Sequence, residues 1–496
     1  MILAIYLLAG TLFATLTPSW QAPDEPAHYN YIRYLAAQSG LPELVSSCYN
    51  QAYLKQLTSR RFPPELSVDS ICYEFHQPPL YYLLATPLYI LSGGSPTALR
   101  LFSVFLGAGV ITLAFMIGRL IYPNPATVAY GVMALVAFVP MHVAMLGSVN
   151  NDALAELILA TLLLLLTRRM LPDFQATPRR DVLLGLMLGL GLVTKTTVYI
   201  AVPLILAGLW LAALPLPATR VNWRKLLKQA TLIYGSAGLM ALPWYMRNIN
   251  LYGNWDILGL TRHDQVVVGQ LRTGEFLAQV GWWGYFKEFF STTFRSFWGQ
   301  FGWMAVPMSD RVYWVLGLLL LLALLGWGRK VVKRRQTIKE KAPLTTPNLS
   351  LWLRSASDKA LLLMALTVVL MVLGYGWYNL EFTQFQGRYL FPALIPLAIF
   401  LTLGWLSAFS WPMRWGLATI LGLALAGQLL AGLRSNDLDK TATLLTGLFL
   451  LLALGRIWLA RCWQMPLTWL LGAVYVGLAL LTLVSPFWYI IPYLSP

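Results

Sequence analysis

Thirteen stretches of this 496-residue chain are apolar over a length that suits a bilayer crossing, and nothing else in the sequence limits the fold so strongly. A span needs about 20 mostly apolar residues, because in hydrocarbon only a helix or a closed barrel satisfies its own backbone hydrogen bonds. The stretches are 1–18, 98–121, 126–148, 151–167, 181–194, 196–214, 229–245, 311–328, 358–377, 389–408, 413–432, 441–460 and 466–487. A shorter one, 79–92, has prolines at 78, 79 and 87 and runs into Gly93-Gly94. The pattern predicts an all-α fold: a polytopic transmembrane helical bundle of about 13 spans. Only 11% of the residues are charged, against about 25% in soluble proteins. That excludes a water-soluble enzyme and a disordered chain. Three cysteines are too few for a disulfide scaffold.

Charge sets the expected orientation. If 79–92 lies in the interface and the N-terminus is cytoplasmic, the inner connections hold 21 basic and four acidic residues, and the outer ones 15 basic and 16 acidic. Letting 79–92 span would turn most of the basic clusters outward, against the positive-inside rule. The expected topology is N-in and C-out, in a plasma (inner) membrane. The formal charge of +16 is then orientation and calls for no nucleic acid. The first segment lacks a basic leader and a small-residue cleavage site, so it reads as a span rather than a cleaved signal.

The loops divide the chain into a transmembrane module, 1–245, with a first outer loop at 19–97; a second, aromatic-rich outer loop at 246–310; and a C-terminal transmembrane module, 311–496, with a basic cytoplasmic loop at 329–357. The basic run suits anionic lipid headgroups. The segment GWWGYFKEFFSTTFRSFWGQFGWM, 281–304, is too aromatic for a solvated loop and predicts an interfacial helix.

This orientation gathers the unusual polar residues at one membrane boundary. Asp24, Glu25 and His28 follow the first span; Glu74 and His76 precede 79–92; Asn150, Asn151 and Asp152 open a span. Lys195 interrupts a long apolar run, Arg247 follows another, and Gln386 and Arg388 precede a third. Ionisable groups at such depth are costly unless paired or functional.

Six motifs occur in order: PDEPAHY, YEFHQPPLYY, SVNNDALAE, GLVTKTTVYIAVP, PWYMRNINLYGN and QGRYLFPALIP. Together, over roughly residues 1–400, they resemble the GT-C superfamily of membrane glycosyltransferases, in particular the family-39 type that includes protein O-mannosyltransferases and lipid A aminoarabinose transferases. The resemblance implies a polyprenyl-phosphate-linked sugar as donor, a hydroxyl acceptor, an extracytoplasmic active site and inversion at the anomeric carbon.

Such chemistry needs a base for the acceptor hydroxyl and cations for the departing phosphate. By resemblance Asp24 is the base and Asp152 the second acid. Read as local structure alone, Asp24 is a helix N-cap and Asp152 a helix-dipole charge. Glu25 either holds the acceptor or a metal, or only complements the dipole. Arg388 offers a bidentate fork for phosphate, with Gly387 permitting close backbone approach; the alternative is snorkelling at a helix end. Lys195 divides between the same two roles. Arg247 either closes the site or anchors at the interface. His28, His76, Tyr81, Tyr82, Gln386 and Tyr389 are expected on the acceptor side or behind the acids. His76 departs from the family's usual His-Pro-Pro, since Gln77 intervenes. A hard divalent cation bridging Asp24 and Asp152 is open. Cys48 and Cys72 share the first outer loop and are either bridged or free thiols; Cys462 should be free. The competing reading is a non-catalytic scaffold subunit or a lipid or polysaccharide transporter. A transporter would show an internal repeat and midplane polar sites, and neither is evident.

Overall fold

Most of the apolar runs form single helices, some with a proline inside, and one run breaks at Pro140. In a computed structural model the chain is described over residues 1–495 except 39, 215–221, 342–352, 354, 411–413, 436–437, 439 and 460–466. Cys462, Arg220 and residues 342–352 and 354 of the expected 329–357 loop therefore lie outside the described residues. The helices are α1 (Ile2–Leu16), α2 (Glu25–Ala37), α3 (Gln51–Ser59), α4 (Leu80–Leu91), α5 (Pro96–Ile121), α6 (Thr127–Phe138), α7 (Pro140–Leu146), α8 (Asp152–Arg169), α9 (Pro178–Leu192), α10 (Ala201–Ala213) and α11 (Trp223–Tyr252). They continue as α12 (Leu260–Val266), α13 (Thr273–Trp298), α14 (Asp310–Lys341), α15 (Ala356–Glu381), α16 (Leu394–Ala408), α17 (Arg414–Ser435), α18 (Lys440–Leu459), α19 (Leu467–Ser485) and α20 (Ile491–Leu494). The one sheet among the described residues pairs Gln300–Phe301 with Val306–Pro307.

Among the described residues, six helical stretches are long and apolar enough to cross a membrane, or seven if the bent pair α6–α7 is counted as one. The other expected spans are helical too, but α1 has only 15 residues, and α8 carries two acids and two arginines. The 79–92 stretch is the 12-residue α4, with Pro87 inside it. Two expected boundaries shift. The helix of 229–245 extends to Tyr252, and the basic loop begins as helix, because α14 runs on to Lys341.

The expected single span 126–148 is corrected: it is two helices, bent by 65° between Phe138 and Pro140. Pro140 has no N–H, so the Val136 carbonyl loses its partner four residues on. His142 replaces it, its Nδ1 lying 2.8 Å from the Val136 oxygen. A carbonyl only accepts, so Nδ1 is the donor. The other ring nitrogen, Nε2, is 2.8 Å from Glu156 Oε2 on α8. The break is thereby stitched to a neighbouring helix.

The chain divides into two compact units. One comprises Met1–Pro307, Asn348–Pro396 and Leu478–Pro496. Within it α5 packs on α1, α6 and α8, α9 packs on α11, and α2 packs on α4. Its core runs through Tyr6, Phe13, Ile111, Leu135 and Leu159. The other comprises Met308–Pro347 and Leu397–Gly477. There α14 and α16 cross at bare backbone: a Cβ on Gly326 would fall 1.9 Å from the Gly404 carbonyl oxygen. Trp405 Nε1 donates to the Leu319 carbonyl at 2.7 Å across the same crossing. Small residues let membrane helices approach this closely.

Candidate active site

Asp24 stands directly before α2 with φ 65°, the left-handed region that a non-glycine residue enters at a cost of about 1–2 kcal/mol. Pro26 fixes the first turn after it. Although Asp24 occupies the N-cap position, its side chain makes no capping bond. The left-handed backbone turns the carboxylate elsewhere. Oδ1 accepts from the Tyr73 hydroxyl at 2.8 Å, and Oδ2 accepts from Arg388 Nη2 at 2.6 Å.

Arg388 lies in a 3-10 turn, Gly387–Ala393, that leads into α16. Its Nε donates to Gln386 Oε1 at 2.6 Å, and the Tyr389 ring centre lies 5.3 Å from its guanidinium carbon. The turn is fixed by Gly387, whose missing Cβ would sit 2.3 Å from the Thr293 oxygen and 2.5 Å from the Phe297 nitrogen on α13. The Gly387 amide donates to Ser296 Oγ at 2.7 Å. The close backbone approach that glycine permits here is made to a helix of this chain.

The second acid is paired in the same way. Lys195 Nζ lies 2.6 Å from Asp152 Oδ1, and both side chains are mostly buried, so Lys195 does not snorkel to bulk water. Asp152 begins α8, its amide donating to Asn150 Oδ1 at 2.8 Å. Lys195 sits between the end of α9 and the 3-10 turn Thr196–Ile200. His28, on α2, shares a 2.8 Å hydrogen bond with the Tyr82 hydroxyl through Nδ1. Tyr81 bonds Ser103 Oγ at 2.9 Å. Both tyrosines are fully buried, which excludes an interfacial belt role.

Two cations and two carboxylates thus converge from four separate elements, and the neighbouring groups register their fields. Burial alone would raise the Asp24 carboxyl, but the Arg388 guanidinium outweighs it and holds the acid below its ordinary range. Burial pushes His28 down to about 3, so its imidazole is neutral. Burial, with Asp24 adding to it, pushes Glu74 up to about 7. Burial and the Asp24 charge also raise Tyr73 well above the usual phenol range, so it stays a donor to Asp24.

Glu25 is placed differently from its neighbour. It is wholly buried and saturated: Arg100 donates through Nε at 2.7 Å and Nη2 at 2.6 Å, and the Trp20 and Val149 amides each donate at 3.1 Å. Arg100 also donates to the Ala14, Thr17 and Pro18 carbonyls, closing the open C-terminus of α1. The pair locks α1, α2 and α5 together behind Asp24.

Arg247 is not brought to the cluster. It donates to the Pro42 carbonyl and to Asn248 Oδ1, and lies over the Trp244 ring. His76 turns away towards His263, the ring centres 4.5 Å apart, with Nδ1 donating to the Tyr73 carbonyl at 3.0 Å. Cys48 and Cys72 are joined as a disulfide, next to Tyr73 in the chain.

The donor set does not suit a resident divalent cation. Asp24 and Asp152 each already hold a basic side chain, and the described residues contain no group of three acidic, histidine or cysteine side chains able to share an ion. Three partners had no signal of their own in the sequence. Arg100 stands inside an apolar run, Tyr73 is one tyrosine among 24, and His142 is an isolated ring in a span.

The family model described as "Predicted membrane protein (DUF2142)" matches residues 78–398. The structure resembles that of ArnT from Cupriavidus metallidurans bound to undecaprenyl phosphate, with a TM-score of 0.53 at 15% identity. The match covers 98% of this chain and 76% of that one. The apo state of the same protein matches at a TM-score of 0.52, again at 15% identity and with the same coverage of both chains. At these identities the likeness is one of fold, and it is the fold of the superfamily that the six sequence motifs resemble. A likeness to the oligosaccharyltransferase AglB of Archaeoglobus fulgidus, at a TM-score of 0.45, is too slight to bear on the fold. No curated protein matches the chain.

Proposed function

This chain belongs to the DUF2142 family of membrane proteins, and we propose that it is an inverting glycosyltransferase that moves a sugar from a polyprenyl-phosphate donor to a hydroxyl acceptor on the extracytoplasmic face of the membrane. The observation that carries this reading is the Asp24–Arg388 and Asp152–Lys195 set, mostly shielded from solvent in a fold like that of ArnT.

In the proposed reaction Asp24 removes the proton from the acceptor hydroxyl as the oxygen attacks the anomeric carbon. The bond from that carbon to the phosphate oxygen breaks, and the electron pair leaves with the polyprenyl phosphate. Arg388 and Lys195 hold the negative charge that develops there. Attack from the face opposite the phosphate inverts the anomeric centre. At rest Arg388 is committed to Asp24. An incoming phosphate competes for the guanidinium and frees the carboxylate, so donor binding itself arms the base. Glu25 and Arg100 take no step and position Asp24 from behind. Asp152 holds Lys195. The topology in this reading is about 13 spans, N-in and C-out, with α4 and part of α13 in the interface.

Mass spectrometry of lipids that copurify with the gently solubilised protein tests the reading. A polyprenyl phosphate or its sugar conjugate is expected in wild type and absent in Arg388→Ala. Bulk phospholipid alone in both folded samples counts against it. A cysteine-accessibility map that puts residue 170 outside overturns the orientation.

A further inference from the structure

Among the described residues, two polar atoms near the paired charges are left without partners, on two side chains that both reach Gln77 through other contacts. Glu74 Oε2 is buried and has no hydrogen-bond partner among the described residues; the same holds for Asn151 Oδ1. Asn151 is wholly buried and gives its amide hydrogens to Gln77 Oε1 at 3.4 Å and the Thr194 carbonyl at 3.3 Å. Gln77 also lies within hydrogen-bonding reach of the Glu74 side chain. The two orphans come from separate elements, the 3-10 turn Tyr73–His76 and the residue before α8. Leaving a buried polar group unpaired costs about 1–3 kcal/mol, so two together mark a place that something else completes.

The charges around them indicate what that is. Glu74 lies within electrostatic reach of Asp24, Lys195 and Arg388, the proposed base and both proposed phosphate cations. In the reaction proposed above, the only part of the donor that lies between those groups is the sugar ring. In the cluster Asp24 and Asp152 are each matched by a cation, and the partly ionised Glu74 and the donor phosphate add further negative charge. A neutral, polyhydroxylated ring completes it without a further charge, whereas an acidic sugar would meet Asp24 and Asp152. A carboxyl that is half-protonated near neutral pH both donates to and accepts from a hydroxyl, and an amide oxygen accepts from one.

We propose that Glu74 and Asn151 form the subsite for the hydroxyls of the transferred sugar, a neutral sugar, separate from the base Asp24 and the phosphate ligands Arg388 and Lys195. The assignment rests on the glycosyltransferase reading. It differs from that reading in its residues, none of which touches the phosphate.

The test is equilibrium binding of two probes to the full-length detergent-solubilised protein: undecaprenyl phosphate, and undecaprenyl phosphate carrying one neutral hexose, with glucose, mannose and galactose each tried. Wild type should bind at least one conjugate more tightly than the bare lipid. At pH 6, where Glu74 is mostly neutral, Glu74→Ala and Asn151→Ala should each remove about tenfold of that difference while leaving bare-lipid affinity unchanged. Glu74→Gln, which keeps a donor and an acceptor, should retain most of it. A conjugate advantage that survives both alanine variants, an equal loss of both probes, or no conjugate advantage in wild type overturns the subsite alone. Wild type that binds neither probe overturns the polyprenyl-phosphate reading and the subsite with it.

Discussion

Asp24 and Arg388 stand 364 residues apart in the chain and 2.6 Å apart in the structure, one directly before α2 and the other in the turn that leads into α16. The contact joins the residue proposed as base to the residue proposed as phosphate ligand, so removing either has a distinct signature. Asp24→Asn keeps a hydrogen-bonding side chain for Tyr73 and Arg388 but cannot take a proton at neutral pH. Transfer should fall by at least a hundredfold, with polyprenyl-phosphate binding retained. Single-turnover assays beside lipid binding separate the two, and wild-type turnover in Asp24→Asn refutes the base.

Glu25 and Arg100 predict a loss of a different kind. Breaking a buried ion pair strands a charge and costs about 3–5 kcal/mol, so Glu25→Gln or Arg100→Met alone should lower thermal stability markedly. The double variant should recover at least half of the loss, because no unpaired charge remains. A Glu25→Gln protein of wild-type stability that lacks only turnover would instead place Glu25 in the chemistry.

Gly387→Ala touches no ligand in the proposed reaction. Its new methyl would press on backbone atoms of α13 that cannot rotate away, forcing the Arg388 turn to shift. Undecaprenyl-phosphate affinity should drop by roughly tenfold, about the loss of one hydrogen bond to a charged group. Wild-type affinity in a folded Gly387→Ala protein would show that the turn has slack and that Arg388 is not held by it.

Glu74 sets an expected pH dependence. Its carboxyl titrates at about 7 rather than near 4.5, so it is mostly neutral at pH 6 and mostly anionic at pH 8. Deprotonation adds a negative charge close to the phosphate cations. Affinity for undecaprenyl phosphate should therefore fall as pH rises through about 7, by roughly fivefold, the equivalent of about 1 kcal/mol of repulsion. In Glu74→Gln the fall should vanish. An unchanged pH profile in that variant would assign the titration to another group.

The sequence made some of this legible and hid the rest for physical reasons. Lys195 and Arg388 stood out because a cation at the end of an apolar run must find water or an anion, and the structure supplies the anions, Asp152 and Asp24. Neighbouring residues misled. Asp24 and Glu25 adjoin in the chain, but a left-handed residue followed by the first helical residue sends their side chains apart, one to Arg388 and the other to Arg100. Arg100 gave no signal because a cation just inside a span also suits plain interfacial anchoring. The bend at Pro140 was masked by an unbroken apolar run, since hydropathy records composition and not the missing N–H. His142 makes that bend tolerable from two residues further on.

The separation of Asp24 from Arg388 also has a consequence in time. At about 5–20 residues per second, roughly 20–70 s of synthesis divides the two residues. Arg100, by contrast, follows Glu25 by only 75 residues. The inner brace of the site can thus assemble while most of the protein is still unmade. Asp24 meanwhile waits with only the Tyr73 hydroxyl for company. A nascent chain halted before the Gly387–Ala393 turn would carry a braced but incomplete site, unable to offer the donor the Arg388 guanidinium.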